Sequence, residues 1–132
     1  MTTEQRALLF EAKLDAKYAH QMLRDDVVRG ACSRSYYAMF CVARAIPMDF
    51  EQDFSKHTAV ISAFGKLAKR DDRIPKSYHR KLLDAYKLRG TADYDYVAKV
   101  TREETKVLIQ DANLFVELGE LWFGGVSIEV EE

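Results

Sequence analysis

The chain has 132 residues, 48% hydrophobic and 31% charged, with only two prolines and six glycines. That composition excludes a disordered polypeptide and fits one ordered, helix-rich domain long enough to bury a core. Twenty basic residues against 21 acidic ones leave a formal net charge of −1. This excludes a protein that coats nucleic acid indiscriminately, while leaving room for a local basic patch.

The first predicted helix opens at Thr2 or Thr3, with Glu4 in its first turn. Leu9, Ala12, Ala16, Ala19 and Leu23 recur at alternating spacings of three and four, one apolar face of an amphipathic helix that ends near Asp25. A second helix starts at position 26 or 27 and runs to Ile46, where Pro47 stops it. Val27, Ala31, Ala38, Val42 and Ala45 form one stripe, with Met39 and Ile46 beside it. A helix apolar over most of its circumference belongs at the centre of a bundle or of a dimer interface, and its small residues suggest a homodimer.

PMDFEQDF is a connector, after which Ser55 is placed to cap a third helix with Val60, Ile61, Phe64 and Leu67 buried. Pro75 suits the first position of a fourth helix, which carries Tyr78, Leu82, Leu83, Tyr86 and Leu88 and ends at Arg89 with Gly90 as its cap. DYDYVAKV reads as a short extended connector. Thr101 with Glu104 is a capping box opening a fifth helix, with Leu108, Ala112, Phe115 and Trp122 on one face and a stop at Gly124-Gly125. The expectation is an all-α, up-and-down bundle of four to five helices over residues 1–125, followed by a frayed acidic tail over 126–132.

Cys32 and Cys41 lie nine positions apart on the second helix, face opposite sides and lack the close spacing of a zinc site. Reduced thiols, the lack of a signal-peptide pattern in MTTEQRALLFEAKLDAK and the lack of a membrane-length apolar run predict a cytoplasmic protein without membrane contact. No metal or other cofactor is implied.

Three stretches could carry chemistry. In SRSYYAMFC, Arg34, Tyr37 and Cys41 share one helix face. An arginine on so apolar a helix needs a counter-charge. Either it pairs with Asp84, Asp93 or Asp95, or it awaits a phosphate with tyrosine beside it. Lys56 and His57 open the third helix, where free N–H groups favour an anion, ordinary capping being the alternative. His20 and His79 have no partners at catalytic spacing and are expected at the surface. RGTADYDY gathers Arg89, Asp93, Tyr94 and Tyr96 near a helix end, without the pattern of a triad or of a phosphate loop.

Taken in order, SRSYYAMFCVARAI, SKHTAVISAFGK and LRGTADYDY resemble the HEPN domain family, in its small stand-alone prokaryotic branch, over roughly residues 9–116. The resemblance implies a helical, commonly dimeric protein related to RNA-cutting toxins that are paired with minimal nucleotidyltransferases. Ribonuclease members carry an arginine followed after four to six residues by histidine, then any residue and tyrosine. Here Arg89 and Tyr96 fit, but Tyr94 stands at the histidine position, and Cys41 stands where the branch often has a second histidine. A phenol of pKa about 10 is a poor base at neutral pH, where an imidazole near 6.5 is well suited.

The resemblance therefore implies a nucleotide- or RNA-binding module or nucleotidyltransferase partner, with Arg34, Tyr37, Lys56, His57 and Arg89 as binding residues. Tyr96 is the candidate acceptor of AMP. An active metal-independent endoribonuclease, using Arg89, Asp93 and Tyr94 or recruiting His57, is the alternative; a purely structural helical dimer is the third possibility.

Overall fold

The computed structural model describes residues 1–95 and 99–125. Five α-helices follow in chain order: α1 (Thr3–Arg24), α2 (Val28–Ala45), α3 (His57–Arg70), α4 (Tyr78–Tyr94) and α5 (Arg102–Trp122), with a 3₁₀ turn at Ile46–Phe50 after α2. The architecture is the expected all-α bundle. Its centre is α2, which packs against α1, α3, α4 and α5.

Local chemistry explains most of the helix ends. Thr2 and Gln5 form a reciprocal capping box at the start of α1, and Thr101 and Glu104 form the predicted one at α5. The α1 chain reverses through Asp26 at φ 63°, with the Asp26 N–H donating to the Leu23 carbonyl and the Val27 N–H to Met22. This is a Schellman turn with aspartate where glycine is usual. The same motif ends α5 through Gly124 at φ 86°, where glycine meets the geometry without strain.

The predicted apolar faces are buried. Leu9, Ala12, Ala16, Ala19 and Leu23 line α1's inner side, and Val60, Ile61, Phe64 and Leu67 line that of α3. Tyr78 stacks on Phe115 at 5.0 Å between ring centres, and Phe64 closes on the same ring at 5.6 Å.

Several expectations need correction. The exposed end of α2 leaves Val27 in solvent. The small residues Ala31, Ala38, Ala43 and Ala45 are fully buried inside the bundle, where they let the other helices approach. Helix α3 starts one residue past Lys56 and has no side-chain cap, so Ser55 does not cap it. Pro75 lies in the turn before α4, with Ser77 at the cap position. Gly90 is not a cap either: α4 runs through it to Tyr94, because a glycine flanked by good hydrogen-bonded turns costs only about 1 kcal/mol in a helix interior. His79 is half-buried rather than fully at the surface: one edge of its ring lies against Gly65 of α3 and the rest lines a groove between α3 and α4. DYDYVAKV is not extended from its start, since Asp93 and Tyr94 are the last residues of α4; positions 96–98 and the tail at 126–132 lie outside the described residues. Among the described residues no helix is long and apolar enough to cross a membrane.

Candidate functional site

Extending α4 by one turn beyond Gly90 sets the geometry of the site. It places Asp93 four residues after Arg89 on the same helix face, and turns both toward α2. Arg29 of α2 fixes that last turn by donating to the carbonyls of Ala92 and Asp95, as expected for a cation at a helix C-terminus. Ser33, one turn further along α2, donates its hydroxyl to Asp93.

Arg89 is the hub. Its Nη2 donates to the Tyr37 hydroxyl at 2.6 Å. Its Nε lies 2.8 Å from an Asp93 oxygen but is misaligned for a hydrogen bond, so that contact is Coulombic. The guanidinium is bracketed by the rings of Tyr37 (5.1 Å), Tyr94 (5.4 Å) and Tyr36 (5.8 Å), an arrangement that favours a cation over each π face. The Tyr94 ring is 70% exposed and forms the outer cover of the group.

His57, the first residue of α3, completes the group from a third helix. Its Nδ1 is 2.7 Å from the Tyr36 hydroxyl, and its ring stacks on Phe40 at 4.3 Å. Burial, and after it the charge of Arg89, lowers the pKa of His57 below the usual imidazole value. The imidazole is therefore neutral at pH 7, with one nitrogen carrying a proton and the other basic. Burial pushes the Tyr36 phenol up, so it remains protonated beside His57. A phosphate could meet Arg89 and a base could lie against Tyr94 or Tyr37.

Of the residues singled out in the sequence, Arg89, Asp93, Tyr94, Tyr37 and His57 come together. Arg34 does not join them. It pairs at 3.0 Å with Asp15 of α1 rather than with Asp84, Asp93 or Asp95. Asp15 is almost fully buried, and burial raises its pKa despite the arginine. Lys56 sits exposed at the α3 cap position next to His57. Tyr96 lies outside the described residues. Cys41, at the family's second histidine position, is a thiol that burial pushes up to about 12, so it does not stand in as an acid–base. Among the described residues no group of three or more His, Cys, Asp or Glu side chains is placed to hold a metal.

The site residues missing from the sequence reading are Tyr36, Ser33 and Arg29. Tyr36 carried a signal: it precedes Tyr37 in SRSYYAMFC, so it had to point toward another neighbour of α2. Ser33 and Arg29 carried none, since their partners lie on α4, 60 or more positions away.

A five-helix bundle with an arginine–aspartate pair and tyrosines at the end of α4 is the setting of a HEPN domain, and the HEPN domain family pattern matches residues 5–122. The chain belongs to that family. It is 32% identical to a UPF0332 protein of Gloeobacter violaceus over 119 residues, which covers 89% of this chain and 94% of the other. It is also 32% identical over 114 residues to a Methanocaldococcus jannaschii protein named "Putative toxin", covering 86% and 84% of the two chains. A UPF0332 protein of Thermotoga maritima is 27% identical over 112 residues, 85% of this chain and 80% of its own.

Proposed function

We propose that this HEPN domain binds a nucleotide or RNA at the Arg89 cluster and does not cut it, acting in a toxin–antitoxin-like pair with a minimal nucleotidyltransferase. The observation that carries this reading is Tyr94. It occupies the histidine's place in the ribonuclease motif and stands over Arg89 as an exposed phenol, able to stack on a base but unsuited to take a proton at neutral pH. Arg89 supplies the anion contact, and Tyr37 holds it in position. Relatives named as toxins support the toxin–antitoxin setting. In that setting Tyr96 is the acceptor of AMP, and the protein acts as a cytoplasmic homodimer.

One observation favours a second reading, an endoribonuclease with a rewired site. His57 enters the cluster from α3, is neutral at pH 7 and lies within the field of Arg89. A base on the RNA 2′-hydroxyl and an acid on the leaving oxygen are the needs of metal-free cleavage, and an imidazole can serve either.

The two readings separate on total RNA or tRNA incubated with the protein, with Arg89→Ala and with His57→Ala. Intact RNA throughout, with measurable RNA binding lost in Arg89→Ala, is the expected result. Cleavage that disappears in both variants would establish the ribonuclease. AMP transfer by a nucleotidyltransferase, absent in Tyr96→Phe, would support the partner role. If Arg34→Ala and Arg89→Ala lower the melting temperature and change no binding, both arginines serve the fold alone and the structural reading wins.

A further inference from the structure

Helix α3 holds an unneutralised positive charge that the Arg89 cluster does not use. Its sequence HTAVISAFGKLAKR contains three basic residues and no acid, in a chain whose net charge is −1. Among the described residues Lys66 and Lys69 have no ion-pair partner, and both are exposed. They stand on one wall of a groove of about 400 Å³ between α3 and α4. Thr58 and Ser62 continue that wall toward the start of α3, because positions 58, 62, 66 and 69 recur on one helix face.

The opposite wall is built from His79, Leu83 and Tyr86 of α4, two rings and an aliphatic side chain. Gly65 makes this possible, since a Cβ there would sit 2.5 Å from His79 Nε2. One lining residue is shared with the candidate site: the Tyr86 ring is 5.8 Å from Tyr36 and 6.3 Å from His57, centre to centre.

We infer that the α3–α4 groove is a second subsite for single-stranded RNA, holding the nucleotides that flank the one at Arg89. The inference rests on reading the Arg89 cluster as an RNA site. Lysines one turn apart meet successive phosphates, and the faces of Tyr86 and His79 accept bases. The Thr58 and Ser62 hydroxyls are partners for a 2′-hydroxyl. From Thr58 to Lys69 the wall extends on the order of 16 Å at 1.5 Å per residue, longer than a mononucleotide needs. A polyglutamate-like peptide would satisfy the lysines but offers no aromatic ring to stack on Tyr86 or His79, and duplex RNA keeps its bases paired and out of reach.

The test is fluorescence anisotropy of a labelled single-stranded RNA with the intact 132-residue chain, alongside DNA of the same sequence, AMP and a polyglutamate competitor. Lys66→Glu/Lys69→Glu is expected to weaken RNA binding at least about tenfold and to flatten the slope of log K against log salt by about 1.4, two phosphates' worth. AMP binding should be unchanged in that variant and lost in Arg89→Ala. His79→Ala should weaken RNA binding by about fivefold through lost stacking. RNA binding that survives the lysine changes but falls with Arg89→Ala would remove the groove and leave the cluster. DNA held as tightly as RNA, or RNA displaced by polyglutamate at equal charge, would overturn the choice of RNA. A wild-type chain that binds no RNA at all would overturn both.

Discussion

At the scale of single residues, the cluster is a chain of dependent contacts. Tyr37 holds Arg89, Arg89 faces Asp93, and Asp93 takes the Ser33 hydroxyl. Tyr37→Phe keeps the ring and removes only the hydroxyl. It should lower stability by about 1 kcal/mol in urea unfolding, the net value of one hydrogen bond; an unchanged midpoint would mean that the Tyr37 hydroxyl does not hold Arg89. His57 and His79 make a second prediction. Burial is the first cause of the lowered pKa of each; Arg89 adds to it at His57 and Lys69 at His79. A base with a depressed folded pKa binds protons more readily in the unfolded chain, so its contribution is complete above pH 6.5 and is lost as pH falls from there toward the folded value. The melting temperature should therefore drop between pH 7 and pH 5, less so in His57→Gln, and least in His57→Gln/His79→Gln. Asp15 acts in the opposite sense. Its raised pKa means that protonation favours the fold, so the loss on acidification belongs to the histidines. Arg89, Tyr37, Asp93 and His57 were legible in the sequence because they lie in motifs. Arg34's partner was not, since a buried aspartate one helix earlier looks in sequence like any polar position in an amphipathic pattern.

At the scale of elements, the helices with strict three-and-four periodicity were legible almost to the residue, as were both Gly-ended and Thr-capped boundaries of α5. The misread boundaries, Ser55, Pro75 and Gly90, are residues whose local preferences admit two structures. For Gly90 the choice was made by Arg29 and Ser33, which bind the turn beyond it from α2. Glycines then give opposite predictions by position. A Cβ at Gly90 meets nothing within 4 Å and the backbone is helical, so Gly90→Ala should stabilise the protein by about 1 kcal/mol. A Cβ at Gly119 of α5 would lie 2.8 Å from Leu9 and 3.4 Å from Val42, both buried. Gly119→Ala should cost about 1–3 kcal/mol by overpacking the junction of α1, α2 and α5. Urea midpoints moving the same way in the two variants would contradict the element assignment of one of them.

At the scale of the whole molecule, the site is assembled from α2, α3 and α4, so a ligand there ties the central helix to the two that form the groove. Binding that requires this arrangement is available only to the folded chain, and stabilises it by an amount set by ligand concentration over Kd. At a hundredfold excess over Kd that is about 2.7 kcal/mol, enough to move the melting temperature of a domain of this size by several degrees. AMP should therefore raise the melting temperature of the wild-type chain. Arg89→Ala should abolish the rise even where the variant alone still melts cooperatively, because it removes the anion contact. The lysine pair on α3 should leave the AMP-dependent rise intact and reduce only the rise produced by single-stranded RNA. A rise of equal size in wild type and Arg89→Ala would place the nucleotide elsewhere on the molecule. Equal effects of the lysine variant on AMP and RNA would instead mean that α3 acts through its overall field rather than through a groove that positions flanking nucleotides.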